Sequence, residues 1–322
     1  MKLPYGKVPQ KILEKIVLKY LGLKRKEVIL GPAVGEDGAI IEIGDKAIVS
    51  SVDPITGAIK RIGWLAVNIC ANDVATFGVK PTFFSSCILL PERSDEHVLE
   101  EICRQIDEAA RRLEIAVIGG HTEVTPELTH PIIVGYCVGV TKKGDYVTSG
   151  GAKAGDQLIL TKTAGIEGTA ILATEKYEKL KKVIDNKMLI SAKSFFDKIS
   201  VVDDALIAFK CGGVDAMHDP TEGGILGGIH EMADASRLGV KIYQEKIPIA
   251  KETLKICSFF EIDPLQLISS GALLIAARKG KSQEIVEKLR ICGINASIIG
   301  EFVENQEIRI LINRNGKELQ LP

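Results

Sequence analysis

Apolar residues at positions 12, 16, 17 and 20 recur at helical spacing between lysines, which predicts an amphipathic helix over residues 11–21. Two short β-branched runs, 38–43 and 47–53, are bounded by Gly, Asp and Pro and read as strands, the second ending at Asp53. The alanine-rich segment 62–77 has the length of a helix, and Gly78 and Pro81 supply its stop signals. A strand over 82–90, a long helix over 95–113 with Ser94 as N-cap, and strands over 116–118 and 131–141 follow. Consecutive strands alternate here with strand-helix units, which describes an α+β layer domain and not a doubly wound sheet.

A polar, turn-rich stretch at 142–155 interrupts the pattern, so the chain is expected to divide into a domain at 1–150 and a domain at 151–322. In the second half the periodicity predicts strands at 157–162, 240–243, 272–277, 296–300 and 308–313. Helices are expected at 165–178, 187–196, 202–209, 223–238 and 282–291. This half is again α+β. No internal repeat, low-complexity tract or coiled-coil heptad is present.

Composition narrows the function classes. A chain of 322 residues, 46 % hydrophobic and 26 % charged, has enough apolar material for two globular cores. Its net charge of -1 comes without a basic stripe, so no nucleic-acid partner is expected. No apolar run reaches the roughly 18 residues of a membrane span, and the first residues lack the apolar stretch of a signal peptide. No membrane partner and a cytoplasmic location follow as expectations. The seven cysteines lie singly without a Cys-x-x-Cys pair, which reads as buried thiols in a reducing compartment and argues against zinc.

Candidate chemistry sits in short acid-bearing segments within apolar surroundings: Gly-Glu-Asp-Gly (35–38), Ser-Val-Asp-Pro (51–54), Ala-Asn-Asp-Val (71–74) and His-Asp-Pro-Thr-Glu-Gly-Gly (218–224). Buried unpaired charge is expensive, so carboxylates in such places call for a cation. Mg²⁺ with a nucleotide suits them, because Mg²⁺ takes carboxylates, waters and phosphate oxygens. Each segment also has a structural reading. Asp37 could belong to a polar turn, and Asp53 before Pro54 could form one. Asn68 and Asn72 share a helix face with Asp73 beside them, among apolar neighbours.

Gly119 and Gly120 follow the strand at 116–118 and could bring backbone close to a bound group, with His121, Thr122 and Glu123 next to them. Equally, His121 could be a structural hydrogen-bonding residue. Asp219 or Thr221 could cap the helix that follows, or the amides at Gly223 and Gly224 could receive an anion.

Taken in order, VGEDGA (34–39), SVDP (51–54), CANDVATFGVKP (70–81), GGHTE (119–123) and MHDPTEGG (217–224) resemble the ATP-binding superfamily of aminoimidazole ribonucleotide synthetase, the PurM-like proteins. Selenophosphate synthetase, thiamine-monophosphate kinase and the hydrogenase-maturation protein HypE are similar. The resemblance covers nearly the whole chain, and HypE and its synthase-related relatives match it best. It implies a two-domain α+β fold whose N-terminal domains pair into an intersubunit β-barrel in a homodimer, with an α/β-layer C-terminal domain.

The resemblance also implies ATP and Mg²⁺. Asp37, Asp53, Asp73 and Glu123 would hold the metal. Asp37, Asn72, Asp73, Gly119, Gly120, Thr122, Thr221, Glu222, Gly223 and Gly224 would bind the nucleotide, and Asp53, His121 and Asp219 would be catalytic. The implied reaction is ATP-dependent phosphorylation of a small substrate or of a carbonyl oxygen, such as that of a carbamoyl group, with a maturation protein as partner. A small-molecule kinase and a non-catalytic nucleotide-binding dimer are the alternatives. HypE-type members finish in Pro-Arg-Ile-Cys, whereas this sequence reads Lys-Glu-Leu-Gln-Leu-Pro at 317–322 and its last cysteine, Cys292, lies in an apolar segment. Related members carry Gly-Gly-Glu-Thr or Gly-Gly-Asp-Thr where His121 stands, so the expectation is ATP use without a terminal thiol.

Overall fold

A computed structural model describes residue 3, residues 6–57 and residues 59–322. The first half runs α1 (Gln10–Lys15), β1 (Val28–Leu30), β2 (Ala39–Ile43), β3 (Lys46–Ile55), α2 (Ile62–Thr76), β4 (Pro81–Leu90), α3 (Glu96–Arg112), β5 (Ala116–Val124) and β6 (Ile132–Lys142). Its six strands lie in the order β1-β2-β3-β6-β4-β5. Neighbours are antiparallel except β4 and β5, whose parallel pairing needs the long return that α3 provides.

The second half runs β7 (Gln157–Thr161), α4 (Ile166–Glu175), α5 (Tyr177–Leu180), α6 (Asn186–Lys193), α7 (Val202–Lys210), β8 (Val214–His218) and α8 (Gly224–Ala235). It continues with β9 (Gly239–Tyr243), α9 (Lys251–Phe260), β10 (Leu274–Ala277), α10 (Ser282–Ile291), β11 (Ala296–Val303), β12 (Arg309–Ile312) and β13 (Glu318–Gln320). Seven strands form a second sheet, β13-β12-β9-β11-β7-β10-β8. Alternation along β7 sorts its residues between two cores. Ile159 joins the cluster shared with the first half, and Leu158 and Leu160 join the cluster on the other face.

Helix α2 holds the halves together. All fifteen of its residues are buried, because it lies on β3 and β6, against α3, and against α7 of the second half. Small residues permit this: a Cβ on Gly63 would stand 2.5 Å from the Ile102 carbonyl oxygen. The Trp64 indole donates to the Phe196 carbonyl at 2.9 Å. Gly78 ends the helix at φ +76 with the Phe209 ring against its Cα, so a side chain fits there neither conformationally nor sterically.

Several boundaries differ from the sequence expectation. The first helix stops at Lys15 and gives way to a 3₁₀ turn, Val17–Lys19; it buries no residue, so no packing supports a longer one. Asp95, not Ser94, caps α3, accepting from the Val98 amide at 3.1 Å. The helix expected over 165–178 breaks after Glu175, and that over 187–196 passes into a 3₁₀ turn, Ser194–Lys198. The strand expected at 116–118 runs on to Val124, because β4 offers a parallel partner through Leu90. Strands β1 and β13, of three residues each, are too short for periodicity to reveal, and β8 and α9 are further elements that the sequence expectation lacks.

Cys70, Cys137 and Cys257 are buried, and burial pushes the Cys137 thiol up to about 12 and that of Cys257 to about 11. Cys103 and Cys292 are exposed, contrary to the expectation of uniformly buried thiols.

Candidate active site

Four carboxylates from separate segments converge where the two halves meet. Asp37 sits in the 35–38 turn, which Gly35 presses onto α8 at φ +75; a Cβ there would lie 2.8 Å from the Glu231 carbonyl oxygen. Asp53 lies towards the end of β3, Asp73 in the second half of α2, and Asp219 immediately after β8. Asp73 is buried and accepts from the Ser51 hydroxyl at 2.5 Å. Asp219 is 1 % exposed, and neither of its carboxylate oxygens has a hydrogen-bond partner.

Burial is the first cause that raises these acids, and their mutual charge is the second. The Asp53 carboxyl is pushed up to about 6 by burial, then by Glu222 and Asp37, while Lys7 and a hydrogen bond with Asp73 act the other way. Asp219 is pushed up to about 8 by burial and by Asp37 and Asp53. Asp73 stands well above the ordinary carboxylate range through burial and the charges of Asp219, Asp53 and Asp37. Raised carboxyl groups favour their protonated form, and a cation bound among them would act in the opposite direction.

His218 closes one side. Its Nδ1 lies 2.8 Å from Asp37 and its Nε2 3.0 Å from Glu231, and Lys7 reaches Glu231 at 3.0 Å. Burial opposes charge on this ring, but the two carboxylates outweigh burial and hold its pKa well above the usual histidine value. Burial likewise opposes ionisation of Glu231, yet His218 and Lys7 bring it down to about 2. The Ser149 hydroxyl donates to Asp37 at 3.0 Å, and the Ser149 and Gly150 amides donate to Glu36 at 3.0 and 3.1 Å. The connection between the halves is thereby tied to the acidic turn.

Other expected site residues fall elsewhere. Asn72 donates from Nδ2 to the Ile199 carbonyl at 2.9 Å and accepts from the Val201 amide at 2.8 Å, so both ends of its amide serve the contact between the halves. It is fully buried there, and in this chain its amide ties α2 to the second half. Asn68 donates back to the Trp64 carbonyl at 2.8 Å.

Gly119, Gly120, His121, Thr122 and Glu123 form no loop at a strand end; they lie inside β5. Gly120 is there because a Cβ would meet the Ser86 carbonyl oxygen at 2.2 Å, while Gly119 faces open space. Across the sheet Asp53 pairs with Gly135, Gly135 with Ser86 and Ser86 with Gly120. Three strand spacings, about 14 Å, therefore separate this segment from Asp53 within one chain. His121 and Glu123 are exposed and bonded to one another at 3.1 Å.

At the entrance to α8 neither Asp219 nor Thr221 caps the helix; Gly223, at φ +85, is the N-cap residue. The Gly224 amide donates to the Thr221 carbonyl at 3.0 Å and is not free for an anion. A Cβ on Gly224 would collide with the Leu265 carbonyl oxygen at 2.5 Å, so this glycine answers to packing. Thr221 and Glu222 remain partly open at the edge of the cluster. Sequence reasoning does not single out Ser51, Glu167, His218 or Glu231. His218 stands inside a quoted segment, whereas nothing local distinguishes Glu231 from an ordinary helix residue.

The comparisons with known proteins decide the family. The model of the AIR synthase related protein N-terminal domain matches residues 35–141, and that of the C-terminal domain matches residues 153–313. The chain belongs to the AIR synthase related family. A putative hydrogenase expression/formation protein, MJ0676 of Methanocaldococcus jannaschii, is 32 % identical over 302 residues, 92 % of this chain and 88 % of the relative. Carbamoyl dehydratase HypE of Escherichia coli K12 is 26 % identical over 279 residues, 84 % of this chain and 80 % of that protein. A crystal structure of hydrogenase maturation protein HypE in complex with ATP superposes with a TM-score of 0.75 at 20 % identity, covering 99 % of this chain and 96 % of that one. The two-domain α+β architecture is thus the PurM-like fold of this family.

Asp53, Asp73 and Asp219 offer carboxylate oxygen alone at the junction, the chemistry that suits a hard cation. Among the described residues no three His, Cys, Asp or Glu side chains form a ready-made metal cage. Mg²⁺ does not depend on such a cage, since it keeps waters and binds through one or two carboxylates together with phosphate oxygens. The orphaned oxygens of Asp219 supply a place for such an ion.

Proposed function

We propose that this protein is an Mg²⁺-dependent enzyme that uses ATP to phosphorylate a carbonyl oxygen or a small acceptor, acting in hydrogenase maturation on a carbamoyl-type group. The observation that carries this reading is the buried, unpartnered carboxylate of Asp219 facing Asp37, Asp53 and Asp73 across the junction of the halves. Residues 1–150 supply the nucleotide and metal side, and residues 151–322 close it with Asp219, Thr221, Glu222 and Gly223. Bound Mg²⁺ would neutralise phosphate charge, held by one or two of Asp53, Asp73 and Asp219 together with phosphate oxygens, with Asp37 behind them.

Phosphoryl transfer asks for positioning and charge neutralisation more than for a covalent nucleophile, so this chain's residues suffice in kind. Asp37 is locked by His218 and Ser149, which orients the turn. Asp53 and Asp219 release protons as the cation arrives. Burial keeps water from competing for the site. Two relatives support the reading: a HypE of like fold crystallised in complex with ATP, and the Escherichia coli HypE is a carbamoyl dehydratase.

The working unit of this reading is a cytoplasmic homodimer. On the sheet face away from α2, Val52, Phe83, Tyr136 and Val140 are exposed side by side, at 60, 37, 42 and 45 %. By register His121 shares that face through Cys87. A second copy packed there into a β-barrel would cover these residues and bring its Gly119, Gly120, Thr122 and Glu123 toward the nucleotide.

Phosphorus NMR of the protein with Mg²⁺ and ATP, with and without a carbamoyl donor, tests the reading. ADP formation or a new phosphorylated species supports it, together with its loss in Asp219→Asn. Bound but unconverted ATP under all conditions would favour a nucleotide-binding regulatory dimer.

A further inference from the structure

The segment ahead of β1 is bonded to the body of the protein at a single point. Neither α1 nor the 3₁₀ turn after it buries a residue. Among the described residues, the hydrogen bonds of residues 6–24 close within that segment, except the one that the Lys7 ammonium donates to Glu231 at 3.0 Å. A stretch with so few buried contacts opens at low cost. Its one attachment falls on the acidic junction. Glu231 meets His218 Nε2 at 3.0 Å with its other oxygen, and His218 Nδ1 meets Asp37 at 2.8 Å. Charge therefore alternates from the surface inward through Lys7, Glu231, His218 and Asp37.

The two cations of this chain differ in freedom. The His218 side chain is 5 % exposed with both ring nitrogens committed, so it cannot turn to a ligand. The Lys7 side chain is 57 % exposed, and Glu231 takes one of its three ammonium protons. Glu231 is itself partly exposed, so water can replace Lys7 on the oxygen it leaves. An ion pair of this exposure contributes little, and giving it up costs little. Burial opposes the charge on Lys7, but Glu231, Glu222 and Asp37 outweigh it and keep the ammonium protonated. Mg²⁺ offsets only part of the charge of a triphosphate, and the junction around it is acidic. A compact ammonium on a long, free side chain is the group such a ligand still needs.

We infer that residues 6–24 form a movable strap and that Lys7 passes from Glu231 to the polyphosphate of a nucleoside triphosphate bound at the junction. The inference rests on the function proposed above and adds to it a phosphate ligand from outside the two sheets. Glu231 holds the ammonium within reach of the site while the site waits for nucleotide. The strap carries five lysines against one acid, Glu14, so the field of a polyanion draws the segment toward the junction as a whole. Closure of this kind also keeps water from the transferring group.

Calorimetry of the full chain with Mg²⁺·ATP, together with hydrogen exchange of residues 6–24, tests the inference. In the wild type, exchange in the strap should slow several-fold at saturating Mg²⁺·ATP and stay unchanged with Mg²⁺ alone. Lys7→Met should raise the Kd for Mg²⁺·ATP by about tenfold, the effect of one charge-assisted hydrogen bond less the weak pair it replaces, and should abolish the slowing. Lys7→Arg should restore most of both. A tether with a purely structural role behaves otherwise: Lys7→Met would speed exchange in the nucleotide-free protein and leave the Kd where it was. That result, a strap equally slowed by Mg²⁺ alone, or a wild-type strap indifferent to bound Mg²⁺·ATP overturns this inference and leaves the proposed function standing. Failure of the wild type to bind Mg²⁺·ATP overturns both.

Discussion

The junction of the two halves and the edge strand β5 both carry acids from the segments that mark the family, yet the fold treats them oppositely. At the junction, Asp73 and Asp219 are buried, crowded by like charge, and in the case of Asp219 unpartnered. On β5, Glu123 is exposed and satisfied by His121 and by Thr125, which donates to it at 3.0 Å. A carboxylate surrounded by water and partners asks for nothing further. A buried one without them stores free energy that a cation can release. Position in a motif is the same kind of information in both places; only solvation separates them.

The sharpest way to break this contrast is Asp219→Asn. Turnover of ATP should fall by at least about 100-fold, the order expected when a charge-positioning group is lost. The ion-free protein should melt higher at pH 8, because the substitution removes a buried like charge. Unchanged turnover in a kinetic assay would place the chemistry elsewhere.

Asn72→Ala comes next. It orphans the Ile199 carbonyl and the Val201 amide, and should cost about 2–4 kcal/mol of stability in denaturant titration. Nucleotide affinity of the folded fraction should hardly move, since both ends of the amide are taken by the contact between the halves. A large loss of affinity with normal stability would restore Asn72 as a ligand.

Proton linkage sharpens the junction further. Asp53 and Asp219, with pKa values of about 6 and about 8 in the folded state, sit above their unfolded range. Folded molecules then bind more protons than unfolded ones between about pH 4 and pH 8, so their contribution to stability is complete below that window and is lost as pH rises through it. Mg²⁺·ATP must displace the same protons, and its affinity should rise with pH over about pH 6–8, up to about tenfold per unit for each proton released. Calorimetry in buffers of different ionisation enthalpy reads the proton count, and a flat affinity across this range would contradict the assignment. His218 behaves in the same direction: its raised pKa stabilises fully below the unfolded value and fades as pH climbs through the folded one.

The smallest effect belongs to β5. His121→Ala should shift stability by no more than about 0.5 kcal/mol, as for an exposed pair. If a second copy covers this face, Val52→Asp should lower both dimer content in sedimentation and nucleotide affinity, and it should do so together. A monomer with full affinity would leave β5 outside the site.

Much of the fold is legible because its signals are local. The alanine-rich apolar run at 62–77, closed by Gly78, could hardly be anything but a buried helix, and it is α2 to within one residue. The turn-rich stretch at 142–155 lies between the last strand of the first sheet and the first strand of the second. Strand β5 reads short in the sequence because Gly-Gly breaks strand propensity, and only β4 beside it makes Gly120 a requirement. The junction contact of Asn72 is hidden for a related reason: its neighbours on the helix show a polar face, but the backbone it grips is 127 residues away.

What the chain by itself determined is the inventory: which segments are strands and helices, that both halves are α+β, and that five acid-bearing segments recur in the order of an ATP-binding superfamily. Local propensity and residue type carry those facts. Only tertiary structure decided which carboxylates lose water and partners together, and which asparagine has both ends of its amide taken at the junction. Desolvation and charge coupling depend on distances through space between residues far apart in sequence, and no local pattern encodes them.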